Sequence, residues 1–270
     1  MLEHFLATLI AVTTVSILGF ALSTIFKRND IADIAWGLQF MVITFTNLLI
    51  ASTPFNWAFL LPATLITIWA LRLSIHIFIR NKGKKEDFRY QKWREEWGKT
   101  FYLRSFLQVW LLQGFLAIVI ASPMIILTSI TTEISISTSS LILYTLGTII
   151  WLVGFFFESI GDYQLGQFIK NRSDKNQVLS TGLWHYTRHP NYFGEVTQWW
   201  GIFIIALGTT LPLLSTAWLA SALLLISPIT ITFLILKVSG IPMLEAKYKD
   251  SPTYQSYASK TNKFFPWFPK

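Results

Sequence analysis

Seven runs of apolar residues, each long enough to cross a bilayer, leave this chain few folds to choose from. A helix needs about 20 apolar residues to cross roughly 30 Å of hydrocarbon. The 270-residue sequence meets that measure near residues 4–26, 31–52, 55–79, 105–130, 139–161, 192–209 and 213–238. The expectation is an all-α integral membrane protein with seven transmembrane helices. The first run lacks a basic leading segment and is longer than the apolar core of a signal peptide, so it counts as a span. Composition agrees: 53% of residues are hydrophobic and 13% charged, against roughly 25% charged in soluble domains.

The basic residues then set an orientation. After spans one, three, five and seven come "FKRND", "RNKGKKEDFRYQKWREEWGKTFYLR", "KNRSDKNQVLSTGLWHYTRHP" and the C-terminal tail. Every Lys and Arg outside the spans lies in these four segments, while "ASTP", "TTEISISTS" and "TTLP" carry none. The positive-inside rule predicts an N-terminus outside and a C-terminus in the cytoplasm. A net charge of +8 therefore points to membrane topology and away from nucleic acid. No linker or domain-sized repeat divides the chain, so residues 1–270 read as a single seven-helix domain.

Several chemistries are excluded. There is no Cys, hence no thiolate nucleophile, disulfide or cysteine-ligated metal. The histidines at 4, 76, 185 and 189 show no metal-ligand spacing, so no metal is expected. No G-x-G-x-x-G, G-x-S-x-G or S-x-x-K occurs. The chemistry is left to a cofactor or to the substrate.

Polar groups at membrane depth are costly, and each is a functional candidate. Asp30 and Asp33 open the second span, where capping of the helix start is the rival reading. Arg72, His76 and Arg80 recur every four residues near the end of the third, with snorkelling as the alternative for Arg80. Glu158 and Asp162 lie four apart on the fifth. In "GLWHYTRHPNYFGE", residues 182–195, Pro190 suits the first turn of a helix, and Asn191, Glu195 and Trp199 then share one face. Arg188 beside that N-terminus suits a phosphate; the bland alternative is a buried acid paired to Arg188. Lys237 precedes a turn at Ser239–Gly240 and is a cation for a phosphate or simply a helix end. These clusters predict a cavity open to the cytoplasm that takes something anionic and nucleotide-like, with an apolar wall for a lipid or sterol.

"GDYQL", "TGLWHYTRHPNYFGEVTQWWG", "RLSIHIFIRNKGKKEDFRY" and "NDIADIAWG" together resemble the DUF1295 family of bacterial membrane proteins, related to the steroid 5-alpha-reductases, from about residue 29 to the end. The shorter core R-H-P-x-Y is shared with isoprenylcysteine carboxyl methyltransferases and sterol reductases. The resemblance implies a steroid 5-alpha-reductase-like fold in which NADPH occupies a cytoplasmic cavity of a protein in the bacterial inner membrane. It maps Asp162, Asn191 and Glu195 onto nicotinamide-nucleotide contacts, with Tyr186 and Trp199 lining the cofactor. Arg72, Lys170, Arg188 and Lys237 are its cations. The substrate half departs from the family: the second span has no Gln-Glu pair, and Trp69 stands at a Tyr position.

The expected activity is therefore hydride transfer from NADPH to the C=C of an α,β-unsaturated carbonyl in a lipid or steroid-like substrate. Asp33 or Tyr90 is the group that hydrogen-bonds the developing enolate oxygen. An S-adenosylmethionine-dependent lipid or prenyl methyltransferase and a non-catalytic lipid-binding protein remain as alternatives. "EDFRY" within residues 80–104 reads either as a lid or as a surface for anionic lipid.

Overall fold

A computed structural model describes residues 1–52, 56–130, 136–174 and 176–269, with the backbone alone at 214–217. Parts of the non-basic connections "ASTP" and "TTEISISTS" lie outside the described residues. In chain order the helices are α1 (Leu2–Ile25), α2 (Ile31–Ile50), α3 (Trp57–Asn81), α4 (Phe88–Trp97), α5 (Phe101–Ser105), α6 (Leu112–Ile120) and α7 (Ser122–Thr128). There follow α8 (Thr138–Asn171), α9 (Leu183–Tyr186), α10 (Pro190–Thr210), α11 (Leu214–Leu223), α12 (Ile226–Phe233), α13 (Ile241–Lys247) and α14 (Pro252–Lys260). No strand occurs among the described residues. Helices satisfy every backbone group within the segment, which hydrocarbon demands. Seven stretches are long and apolar enough to cross a membrane: Leu2–Ile25, Ile31–Ile50, Trp57–Asn81, Phe88–Ile120, Thr138–Asn171, Pro190–Leu213 and Trp218–Lys247. The protein is a multi-pass, all-helical integral membrane protein.

The seventh span runs from Trp218 to Lys247 rather than over 213–238, and two further boundaries depart from expectation for physical reasons. The fourth span starts at Phe88 rather than 105, because α4 and α5 run on through helical turns into α6, and it breaks at Ala121. Pro123 sits in the first turn of α7, where its missing N–H costs nothing. The fifth helix runs to Asn171 rather than 161. At 1.5 Å per residue it is about 51 Å long, longer than a hydrocarbon layer of roughly 30 Å.

Packing divides the chain into two compact units: Met1–Ile136 with Thr209–Ile226, and Ser137–Gly208 with Ser227–Lys270. In the first, α1 is polar inside and apolar outside. His4, Thr8, Ser16 and Ser23 are buried, whereas Leu6, Ile10, Ile17 and Leu18 are exposed. A helix solvated by lipid places its polar and small residues where other helices need contacts. His4 Nδ1 meets Asn47 Oδ1 at 3.0 Å, and Asn47 donates to Thr8 at 2.7 Å. A π-helical turn over Phe106–Leu111 buries Trp110. Its indole fills the space beside Gly19, where a Cβ would lie 2.1 Å from the ring.

In the second unit, α8 and α10 run antiparallel at unusually close range. Gly147, Gly154 and Gly161 recur every seven residues on α8, as do Gly194, Gly201 and Gly208 on α10. A Cβ on Gly194 would lie 2.4 Å from the Glu158 backbone nitrogen, and one on Gly154 would lie 2.6 Å from the Gly194 carbonyl. Small residues at helix crossings let backbones approach, and a seven-residue period keeps them in register over several turns.

Candidate functional site

The close approach of α8 and α10 is what assembles polar groups in the second unit. Asn191, in the first turn of α10, donates from Nδ2 to Asp162 Oδ1 at 3.0 Å. Two turns deeper, Gln198 Nε2 donates to Glu158 Oε2 at 2.5 Å, and Glu158 and Gln198 are both buried. Among the described residues, Asn191 Oδ1 and Gln198 Oε1 are buried acceptors that receive no hydrogen bond. Glu195 lies one turn below Asn191, half-buried, and Trp199, buried, one turn below that.

The loop leading into α10 is fixed from both sides. Gly182 adopts φ +62°, which suits glycine, and a Cβ there would lie 2.4 Å from Gln164 Nε2. Gln164 Oε1 accepts from the Leu183 N–H at 3.0 Å, and Trp184 Nε1 donates to the Gly161 carbonyl at 3.1 Å. On the other side lies the C-terminal tail. Arg188 N–H donates to the Asn262 carbonyl at 2.9 Å, Trp267 N–H to the Tyr186 carbonyl at 3.0 Å, and Thr187 Oγ1 to the Phe264 carbonyl at 2.8 Å. Beside α8 a cleft of about 500 Å³ is lined by Gln164, Gln167, Asn171, Arg172, Gln177 and Gly182 among others.

Arg188 is engaged inside the protein. Its Nη2 lies 3.1 Å from Glu245 Oε1 and its Nη1 donates to the Ala258 carbonyl at 3.0 Å. The same Glu245 oxygen accepts from His189 Nε2 at 3.1 Å and Tyr254 at 3.3 Å, while Oε2 lies 3.5 Å from Lys263 Nζ. Burial lowers the His189 pKa more than the Glu245 hydrogen bond raises it, so the imidazole is neutral at pH 7 and donates Nε2–H. Burial also pushes the Tyr254 and Tyr257 hydroxyls well above their ordinary range. The acid paired to Arg188 is thus on α13. Glu245, Tyr254 and Lys263 lie 56 or more residues beyond His189, and no local spacing links them to the motif. The glycine heptads, in contrast, are legible as spacing.

The first unit brings Asp33 and Tyr90 together. Tyr90 is buried and its hydroxyl donates to Asp33 Oδ1 at 2.6 Å; Arg89 Nη2 donates to Oδ2 at 2.6 Å, and Arg80 Nη2 lies 3.9 Å away. Both Asp33 oxygens therefore accept hydrogen bonds, as a carboxylate does. Residues 82–104 are not a loose loop. Asp87 caps α4 by accepting from the Arg89 N–H at 3.0 Å. Burial raises the Asp87 pKa, but the Arg89 hydrogen bond and charge, with Arg80, outweigh it and hold the carboxyl below its ordinary value. Glu86 accepts from the Asn29 N–H at 2.6 Å and from Arg94 at 3.0 Å. Asn29 Oδ1 in turn receives Ser105 Oγ at 2.8 Å and Trp110 Nε1 at 3.1 Å. Asp30 forms a two-pronged pair with Arg28 at 3.0 and 2.7 Å.

The remaining candidates are scattered. Arg72 is half-buried on α3 in the first unit; Lys170 is exposed at the end of α8, and Lys237 is exposed just before Ser239. Tyr186 is partly exposed on α9. No group of His, Asp and Glu able to hold a metal ion occurs among the described residues.

No curated protein and no solved structure matches the chain. A family model described as "Protein of unknown function (DUF1295)" matches residues 19–261. With that match covering most of its length, the chain belongs to the DUF1295 family.

Proposed function

We propose that the protein is an NADPH-dependent reductase that saturates the C=C of an α,β-unsaturated carbonyl in a lipid or steroid-like substrate. The observation that carries this reading is the buried, unmatched acceptor on Asn191 beside Asp162 and Glu195. A nicotinamide nucleotide offers what that set lacks, namely carboxamide N–H and ribose O–H donors. Its phosphates call for cations, and Lys170, Arg172 and Lys237 are candidates in the second unit. Arg188, engaged with Glu245, holds the α10 entry in place instead. Arg72 is a further candidate cation. Bound NADPH supplies a hydride.

The chain's own groups do the rest. Asp33 holds the Tyr90 hydroxyl at 2.6 Å and orients it as a donor for a substrate carbonyl oxygen, where charge develops as the C=C is reduced. Arg89 keeps Asp33 an acceptor. On this reading the basic tail and the α10 entry face the cytoplasm, the N-terminus lies outside, and the membrane is the bacterial inner membrane.

Thermal unfolding of the detergent-purified protein with NADPH, NADH or S-adenosylmethionine tests it. A ligand at a hundredfold its Kd adds about 2.7 kcal/mol, so NADPH is expected to raise the midpoint. Asn191→Ala and Glu195→Ala are expected to lose that shift while the unliganded proteins still unfold cooperatively. Stabilisation by S-adenosylmethionine alone would replace the reductase with a methyltransferase, and no response to any of the three would favour a lipid-binding protein without catalysis.

A further inference from the structure

The C-terminal segment "KFFPWFPK" enters none of the chemistry above, yet it presents an unusual surface. Phe265, Trp267 and Phe268 are 71%, 71% and 72% exposed. Pro266 and Pro269 disfavour a helix, and the segment is tied down by the Trp267 N–H bond to the Tyr186 carbonyl and, just before it, by the Arg188 N–H bond to the Asn262 carbonyl. Three large aromatic side chains fixed outward in water would be a costly arrangement, because burying such side chains releases most of what an apolar contact can give.

Their neighbours identify what covers them. Phe265 meets Phe193 at 6.1 Å between ring centroids, Phe193 meets Phe157 at 5.0 Å, and Phe157 meets Phe156 at 5.8 Å. Phe156 is 53% exposed and belongs to the outward apolar stripe of α8, with Ile142, Ile149 and Leu152. That stripe is on a membrane-spanning helix and faces lipid. Phe268 packs edge-on against Tyr186 at 5.8 Å, and Lys260 and Lys263 beside the segment are cationic and exposed. The aromatic surface of the tail is thus continuous with the lipid-facing surface at the entry of α10. Trp and Phe flanked by Lys is the composition of the headgroup boundary.

We propose that residues 264–268 form an interfacial anchor that inserts Phe265, Trp267 and Phe268 into the headgroup–acyl boundary of the same bilayer the helices cross. The anchor ties the Tyr186–Arg188 segment, and hence the first turn of α10, to a fixed depth. Neither part depends on which reaction the protein performs.

The absence of native Cys makes the test direct. Nitroxide labels on Phe265→Cys and Phe268→Cys, in nanodiscs of phosphatidylethanolamine and phosphatidylglycerol, report collision rates with oxygen and with a water-soluble nickel chelate. The expected result is oxygen-favoured accessibility at about 5–10 Å below the phosphates, against a water-like ratio for Lys249→Cys. A water-like ratio at 265 and 268, equal to the control, would overturn the proposal. So would an immobilised label shielded from both quenchers, the signature of a second copy or a protein partner. As a second measure, Phe265→Ser/Trp267→Ser/Phe268→Ser is expected to speed tryptic cleavage after Lys263 severalfold in nanodiscs, and an unchanged rate counts against the anchor.

Discussion

At the start of α2, acids meet guanidinium groups: Asp33 with Arg89 at 2.6 Å and Asp30 with Arg28 at 2.7 Å. On α8 the acids accept from amides, Glu158 from Gln198 at 2.5 Å and Asp162 from Asn191 at 3.0 Å. A guanidinium brings charge and donors and no acceptor. An amide brings a donor and an acceptor, and here that acceptor stays unmatched on both Asn191 and Gln198. The first arrangement completes itself with α4, a helix that belongs to the protein. The second leaves amide acceptors open on α10. The contrast separates a site that positions one hydroxyl, on Tyr90, from a site suited to receive a donor-rich ligand.

The strongest way to break the second site is through the helix approach that creates it. Gly194→Ala forces a methyl against the Glu158 backbone, which cannot give way as a flexible side chain does. We expect a loss of about 3 kcal/mol, at the top of the usual overpacking range, measured by reversible unfolding in detergent. A loss below 1 kcal/mol would mean that the helices separate without penalty.

Next in size is the charge pair of the first site. Asp33→Asn leaves a partly buried Arg89 short of an anion; the pair is partly exposed, so we expect about 2 kcal/mol, less than a fully buried pair would lose. In a double-mutant cycle with Arg89→Gln the coupling should be about 1–2 kcal/mol. The matching cycle on Asp162→Asn and Asn191→Ala should give about 1 kcal/mol or less, as a hydrogen bond to a neutral amide would. Equal couplings would erase the distinction between the two regions.

A smaller effect distinguishes them by pH. The His189 pKa is lowered on folding, so the unfolded chain takes up the proton first. Stability in the second unit is therefore full above about pH 6.5, the unfolded value, and falls as pH drops below it. The Asp87 pKa is also lowered; its contribution is present above about pH 3.9 and is lost only below that. His189→Gln should flatten the first window and leave the second intact. A variant that still loses stability between pH 7 and 5.5 as the parent does would sink the assignment. The smallest change is Gly166→Ala on the projecting end of α8, where a Cβ meets nothing within 4 Å. It should stabilise by about 0.5–1 kcal/mol through helix propensity, showing that the Gly194 effect comes from its contacts.

Much of this was legible in residues 182–195. Pro190 marked the start of α10, and spacing put Asn191, Glu195 and Trp199 on successive turns. Spacing also kept Glu158 and Asp162 on one face of α8. The same logic left Arg188 between a phosphate and a buried acid and did not name Glu245, which follows 57 residues later with no periodicity to link them. Asp33 and Tyr90 were each singled out, but their 2.6 Å contact across 57 residues of sequence was not, nor was the helical order of 88–97, which depends on the Asp87 cap, on Arg94 finding Glu86 and on Arg89 finding Asp33 on α2.

By itself, the sequence determined that this chain crosses a membrane seven times as helices, because hydrocarbon thickness and backbone hydrogen bonding act on local composition. It also determined which helix faces are polar, since that follows from a period of 3.6. Only the tertiary structure decided which groups from distant segments meet each carboxylate. A charge is matched or left open by distances of about 3 Å between groups far apart in sequence, and those distances exist only after glycines let α8 meet α10 and α4 closes against α2.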